Sequence, residues 1–177
     1  MTRVIPAVPR LRPLLLTLLL VATTSLVQAQ QPSSTFSVKL MTPETALAAA
    51  RAAFEDCRRQ GYQVAVAVVD RFGIVQVLLR DRFAGAHTVS VASDKAWTAA
   101  SFRTASGAFG ELTQSGKPMS ALRDHPRVLA AGGGLVIESG GSVLGAIGVS
   151  GGPGGEADES CGRAGIRAIT DALELQG

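Results

Sequence analysis

The stretch Val64-Ala65-Val66-Ala67-Val68-Val69, followed by Asp70-Arg71-Phe72-Gly73 and an apolar return over 74–79, decides the fold. Its first six residues are all apolar, so neither face of the segment is meant to meet water. Hemmed between Gly61 and Asp70, it is too short for a buried helix and reads as a central strand covered on both sides. Asp-Arg-Phe-Gly is a turn, and 74–79 is the second strand of a β-hairpin. A second hairpin is expected over 136–138 and 143–149 around Ser139-Gly140-Gly141-Ser142. Residues 36–40 are a candidate for a short edge strand.

Helical signals surround these hairpins. Thr42-Pro43-Glu44 opens a first helix: Thr caps free amides, Pro suits the first helical position, and Glu meets the positive end of the dipole. Leu47, Ala50, Phe54 and Cys57 recur at helical spacing, and Gly61 stops the helix. Between the hairpins, 88–103 carries Val89, Ala92, Ala96, Ala99 and Ala100, small residues that point to close packing. Shorter helical pieces fit 106–115 and 119–124. A last helix over 156–175 turns Cys161, Ala164, Gly165, Ala168, Ile169, Ala172 and Leu173 inward. The order helix, hairpin, helices, hairpin, helix gives an antiparallel sheet with helices packed on it, an α+β domain.

The N-terminus reads as an export signal. Arg3, Arg10 and Arg12 form a basic head, 14–27 is apolar but for Thr17, Thr23, Thr24 and Ser25, and Val27-Gln28-Ala29 offers a cleavage site. The run is shorter than the roughly 20 residues of a membrane span. We therefore expect a signal peptide over 1–29, a polar lead-in over 30–37 and one domain over 38–177. The mature protein would be periplasmic or secreted, without a stable membrane anchor. Three of the 17 basic side chains lie in the signal, which holds no acidic residue, so 14 face 14 acidic ones afterwards. Neutral balance and few aromatic residues argue against a nucleic-acid partner.

Chemistry-bearing residues are sparse. The two histidines, His87 and His125, have no spacing that resembles a zinc site. No catalytic constellation emerges, which leans against an enzyme. Cys57 and Cys161 fall on apolar helix faces, and two readings stay open: buried thiols, or a disulfide in an oxidising compartment. The glycine loop over 148–155 leads into a helix whose first turn holds Glu156, Asp158 and Glu159, which would repel a phosphate. Its plain reading is a tight, self-capped turn. His87, in Gly85-Ala86-His87-Thr88, precedes a helix. It is either a loop residue bonding the helix end or a ligand for haem iron or another transition metal. His125, before Pro126, reads as a turn residue.

Several motifs together carry a family likeness. Val66-Ala67-Val68-Val69-Asp70 with Phe72-Gly73, Asp94-Lys95-Ala96-Trp97-Thr98-Ala99-Ala100-Ser101-Phe102, Gly132-Gly133-Gly134, Gly145-Ala146-Ile147-Gly148-Val149-Ser150-Gly151-Gly152, Asp158-Glu159 and Ala164-Gly165 resemble the GlcG/HbpS haem-binding family. The same module forms the C-terminal part of PduO-type corrinoid adenosyltransferases. The resemblance runs over about 38–175 and implies a five-stranded antiparallel sheet with helices on its faces, in profilin-like layers, and a homo-oligomer. It implies haem as cofactor, for uptake, storage or sensing. Rival readings are a haem-degrading or other small-molecule redox enzyme, a corrinoid- or small-acid-binding accessory module, and an oligomer without a ligand. Among haem-ligating side chains, His87 has the best setting, a loop at a helix N-terminus. Arg82, Lys95 and Arg103 are candidate partners for the propionates, or ordinary solvated charges.

Overall fold

The computed structural model describes Thr2 and residues 33–175, and the folded unit begins at Ser37. Apart from Thr2, the expected signal over 1–29 lies outside the described residues, as do residues 30–32 of the lead-in. The elements are α1 (Pro43–Arg59), β1 (Ala65–Asp70), β2 (Val75–Arg80), α2 (Thr88–Phe102), α3 (Ser106–Leu112), a 3-10 turn (Ser120–Asp124), β3 (Gly134–Ser139), β4 (Ser142–Ser150) and α4 (Gly155–Glu174). No helix among the described residues is long and apolar enough to cross a membrane.

The strands form one antiparallel sheet in the order β2-β1-β4-β3. Among the described residues it has four strands, not five. Residues 36–40 carry no strand, and Leu40 is half exposed, so no buried face there fixes a register. The chain instead enters α1 through Thr42, whose hydroxyl accepts the Thr45 amide at 3.2 Å.

β1 is central and buried from Ala65 to Val69, as its continuous apolar run requires. Its alternation of Val and Ala sorts the two faces. Val64, Val66 and Val68 join Ile147 and Val149 of β4 under α1 and α4, forming the main core. Ala65 and Ala67 face α2, against Ala92. Small residues on that side bring α2 close to the sheet. A β-carbon at Gly148 would collide with the Ala92 carbonyl oxygen, and one at Gly134 with that of Lys95. Both glycines are therefore dictated by helix–sheet approach rather than by a turn.

α1 shows the same economy of size. Its buried face is Ala46, Ala49, Ala50, Ala53 and Cys57, while Leu47 and Phe54 are only partly buried. The apolar stripe is thus rotated toward the alanines, because α4 crosses where a β-carbon at Gly165 would meet the Ala49 carbonyl. At this contact Cys57 and Cys161 form a disulfide, with Cα atoms 5.5 Å apart. This resolves the two open readings: both sulfurs are buried, and they are joined. The bridge closes a loop across 104 residues of sequence separation. Chain-entropy reasoning for a loop of that length gives about 4–5 kcal/mol of stabilisation. The double variant Cys57→Ala/Cys161→Ala should lose stability of that order in denaturant unfolding. A loss under about 1 kcal/mol would show that the bridge does not constrain the unfolded chain as the entropy model requires.

Candidate ligand-binding cleft

The cleft lies where three segments meet: the α1–β1 connection at Tyr62 and Gln63, the β2–α2 turn from Asp81 to His87, and the glycine loop between β4 and α4. Its volume is about 640 Å³, within the range of small-molecule sites.

The β2–α2 turn is firmly held. The Asp81 amide donates to Val64 O at 2.9 Å, and the Asp81 carboxylate accepts Arg58 Nε at 2.6 Å. That hydrogen bond holds the Asp81 carboxyl below its usual range, outweighing the upward push of burial. The Ala84 amide donates to Asp81 O at 3.1 Å, Arg80 donates to Ala84 O, and the Thr88 hydroxyl donates to Gly85 O at 2.7 Å. His87 ends the turn as the N-cap of α2, with an exposed imidazole that makes no capping hydrogen bond. The loop-residue reading, in which the ring bonds the helix end, is therefore not the arrangement observed. The ring lies over Gly85, where a β-carbon would fall 2.6 Å from His87 Cε1.

The floor is a buried ion pair. Lys95 Nζ lies 2.7 Å from Asp158 Oδ2 and donates to Val149 O at 3.1 Å. Asp158 Oδ1 accepts the Gly152 amide at 2.9 Å, so the α4 carboxylate also closes the glycine loop. This is the self-capped turn expected of the loop, with the cation of α2 added to it. The far wall, Gly151 to Gly155, is nearly bare backbone apart from Pro153.

The four candidate site residues part company here. His87 and Lys95 line the cleft. Arg82 stands on the same turn as His87, exposed, with its guanidinium 5.9 Å from the Phe83 ring. Arg103 caps the opposite end of α2 in a left-handed conformation, φ 51°, and borders a separate depression with Phe72. The 15 residues of α2 separate it from His87 by about 22 Å. His125 stacks on Trp97 at 5.1 Å and accepts the Arg127 amide at 3.2 Å, outside the cleft lining.

Asp158, Phe83 and Tyr62 were not expected in the site. Asp158 had a signal in the sequence: Lys95 stands among alanines on a helix packed to the sheet, and a buried lysine calls for a counter-charge.

A glycine-walled cleft at the end of an antiparallel sheet, with one free imidazole and one exposed aromatic ring, defines a small-molecule-binding α+β module. The family model described as haem degrading protein HbpS-like matches residues 41–167. The chain belongs to the HbpS-like family. A double mutant of Streptomyces reticuli HbpS superposes with TM-score 0.72 at 32% identity, covering 91% of this chain and 99% of that one. Klebsiella pneumoniae protein ORFY gives 0.75 at 27%, covering 80% and 98%. PduOC, solved as a haem complex, gives 0.69 at 28%, covering 74% and 96%. The corrinoid adenosyltransferase PduO of Salmonella typhimurium is 33% identical over 104 residues, which are 58% of this chain and 31% of that protein. The chain thus spans about a third of that relative's length.

The ion pair on the floor has a direct consequence. Lys95→Met leaves the Asp158 carboxylate buried without its cation, at an expected cost of about 3–5 kcal/mol. Adding Asp158→Leu should recover part of the loss, because no charge then remains buried. Urea unfolding of the two single variants and the double gives the coupling. Strictly additive losses would contradict it.

Proposed function

We propose that this protein is exported and binds haem in the cleft between the β2–α2 turn and the glycine loop. His87 supplies the iron ligand and Arg82 faces the propionates. The observation that carries the reading is the exposed His87 imidazole, free of any capping bond, on the rim of a cleft in a chain of the HbpS-like family. The solved haem complex of PduOC supports the ligand class.

The residues present fit such a group. The imidazole is oriented by a held turn rather than by a mobile loop, and haem iron takes a neutral imidazole nitrogen. The bare glycine wall lets a flat molecule approach the backbone closely. Lys95 is already neutralised by Asp158, so its part is to shape the floor. Arg103 borders a different depression, and Arg82 is the candidate cation left beside the rim. Haem, when bound, would supply a redox-active iron. The protein's own residues ligate, orient and pair with its carboxylates.

The disulfide supports export, since such bridges persist in oxidising compartments. Exposed apolar residues on the first hairpin, Phe72, Ile74, Val75 and Leu78, support self-association along the free edge of β2.

The central test is a haemin titration. Wild type should give a sharpened Soret band at one equivalent, and His87→Ala a shifted or weakened one. An unchanged variant spectrum removes His87 as ligand, and absence of binding by wild type removes the haem reading. Export and assembly have their own check. Mature protein recovered from the periplasm or medium should begin at Gln30, and light scattering should give a mass above the monomer. A retained 1–29 segment refutes the first, a clean monomer the second.

A further inference from the structure

Phe83 is 79% exposed and lines the cleft. A phenylalanine left in water forgoes roughly 1.5–3 kcal/mol of burial. Floppiness does not account for its position. The residue after it, Ala84, is buried and hydrogen-bonded through both its amide and its carbonyl, and Asp81 two residues before it is tied to Arg58 and Val64. The turn therefore presents the ring outward on a fixed support. His87 is four residues on, so its Cα lies within about 14 Å of that of Phe83. Both side chains border the same cavity. Arg82 stands over the Phe83 ring at a separation where a guanidinium still feels the ring face.

This arrangement matches one ligand chemistry: a flat, conjugated, apolar macrocycle with carboxylates on its periphery. The imidazole can ligate a metal at the centre, and the arginine can pair with the carboxylates at the edge. The macrocycle itself needs an aromatic face, and stacked aromatic pairs gain attraction beyond their buried area.

We propose that Phe83 binds the porphyrin ring itself by stacking, so that the cleft recognises the macrocycle whether or not it carries iron, and metal-free protoporphyrin is a ligand. The inference rests on the haem reading above. It adds a contact that does not involve the metal.

Haemin and metal-free protoporphyrin are titrated in parallel into wild type, Phe83→Ala, Phe83→Trp and His87→Ala, read by Soret absorbance in all four and by quenching of Trp97 fluorescence in all but Phe83→Trp. Wild type should bind both. Phe83→Ala should weaken both by roughly three- to tenfold while leaving the Soret position of bound haemin unchanged. Phe83→Trp should restore affinity for both. His87→Ala should weaken haemin and leave the metal-free porphyrin untouched. The inference is overturned if Phe83→Ala binds both as wild type does, or if wild type takes haemin but refuses the metal-free ring. It is also overturned if Phe83→Ala falls to a smaller mass in light scattering, which makes Phe83 a subunit contact. Wild type that binds neither ligand removes the haem reading as well, and that result is distinct from the others.

Discussion

Helix α2 rests on the sheet backbone against backbone, and the site follows from that approach. Gly134 and Gly148 leave no side chain between the strands and the carbonyls of Ala92 and Lys95, and alanines fill what space remains. Held so low, α2 carries Lys95 within reach of Val149 O at the end of β4 and of Asp158 across the glycine loop. The same placement sets the N-terminus of α2, and with it His87, beside the point where β4 leaves the sheet. A larger residue at either glycine would lift the helix and separate the cation from its carboxylate. The cleft is thus a consequence of packing on the alanine face of β1.

The opposite face ties the other supports together. The disulfide joins α1 to α4, and each cysteine is close in sequence to a residue that holds one cleft segment. Arg58, next to Cys57, anchors Asp81 and the turn bearing His87. Asp158, three residues before Cys161, anchors Lys95 and the glycine loop. Both walls therefore hang from the same buried bridge. With a main core of valines, alanines and few large side chains, the fold gains little rigidity from bulk, and a covalent cross-link between its two outer helices supplies some of what is missing.

Much of this frame was legible because period and punctuation fix it. The unbroken apolar run of β1 admits only a doubly covered strand, and the Gly-Gly turn at 140–141 could only close a hairpin. Residues 36–40 misled because a short segment does not by itself say whether a partner strand exists. In α1, Leu47 and Phe54 drew the expected face toward the large residues. The real interface selects the alanines, since α4 approaches too closely for anything larger. For the cysteines, helical spacing gave burial but not the distance between their Cα atoms. The cleft was less legible still. His87 stood out by its chemistry, whereas Asp158 looked like one of three dipole-compensating carboxylates. Only the fold reveals that it alone is buried, 63 residues away from its lysine in sequence. Arg103 was grouped with His87 by nearness to the same helix, and the length of that helix separates them.

Frame and ligand chemistry also reside in different parts of the chain. The glycine and alanine motifs that carry the family likeness, and the ion pair beneath the cleft, act on packing. A ligand would find mostly backbone along the glycine loop, and a fold alone does not choose its cargo. The side chains that the haem proposal assigns to the ligand, Arg82, Phe83 and His87, all stand on the single turn between β2 and α2. That turn is braced from behind by Asp81, Arg80 and Thr88, none of which needs to touch a ligand to hold it. On that proposal, exchanging the outward residues would change what is bound while leaving the braces, the helix contact and the disulfide as they are. In this chain an imidazole, an aromatic ring and a guanidinium are displayed together on that turn, over a frame that is otherwise chemically quiet.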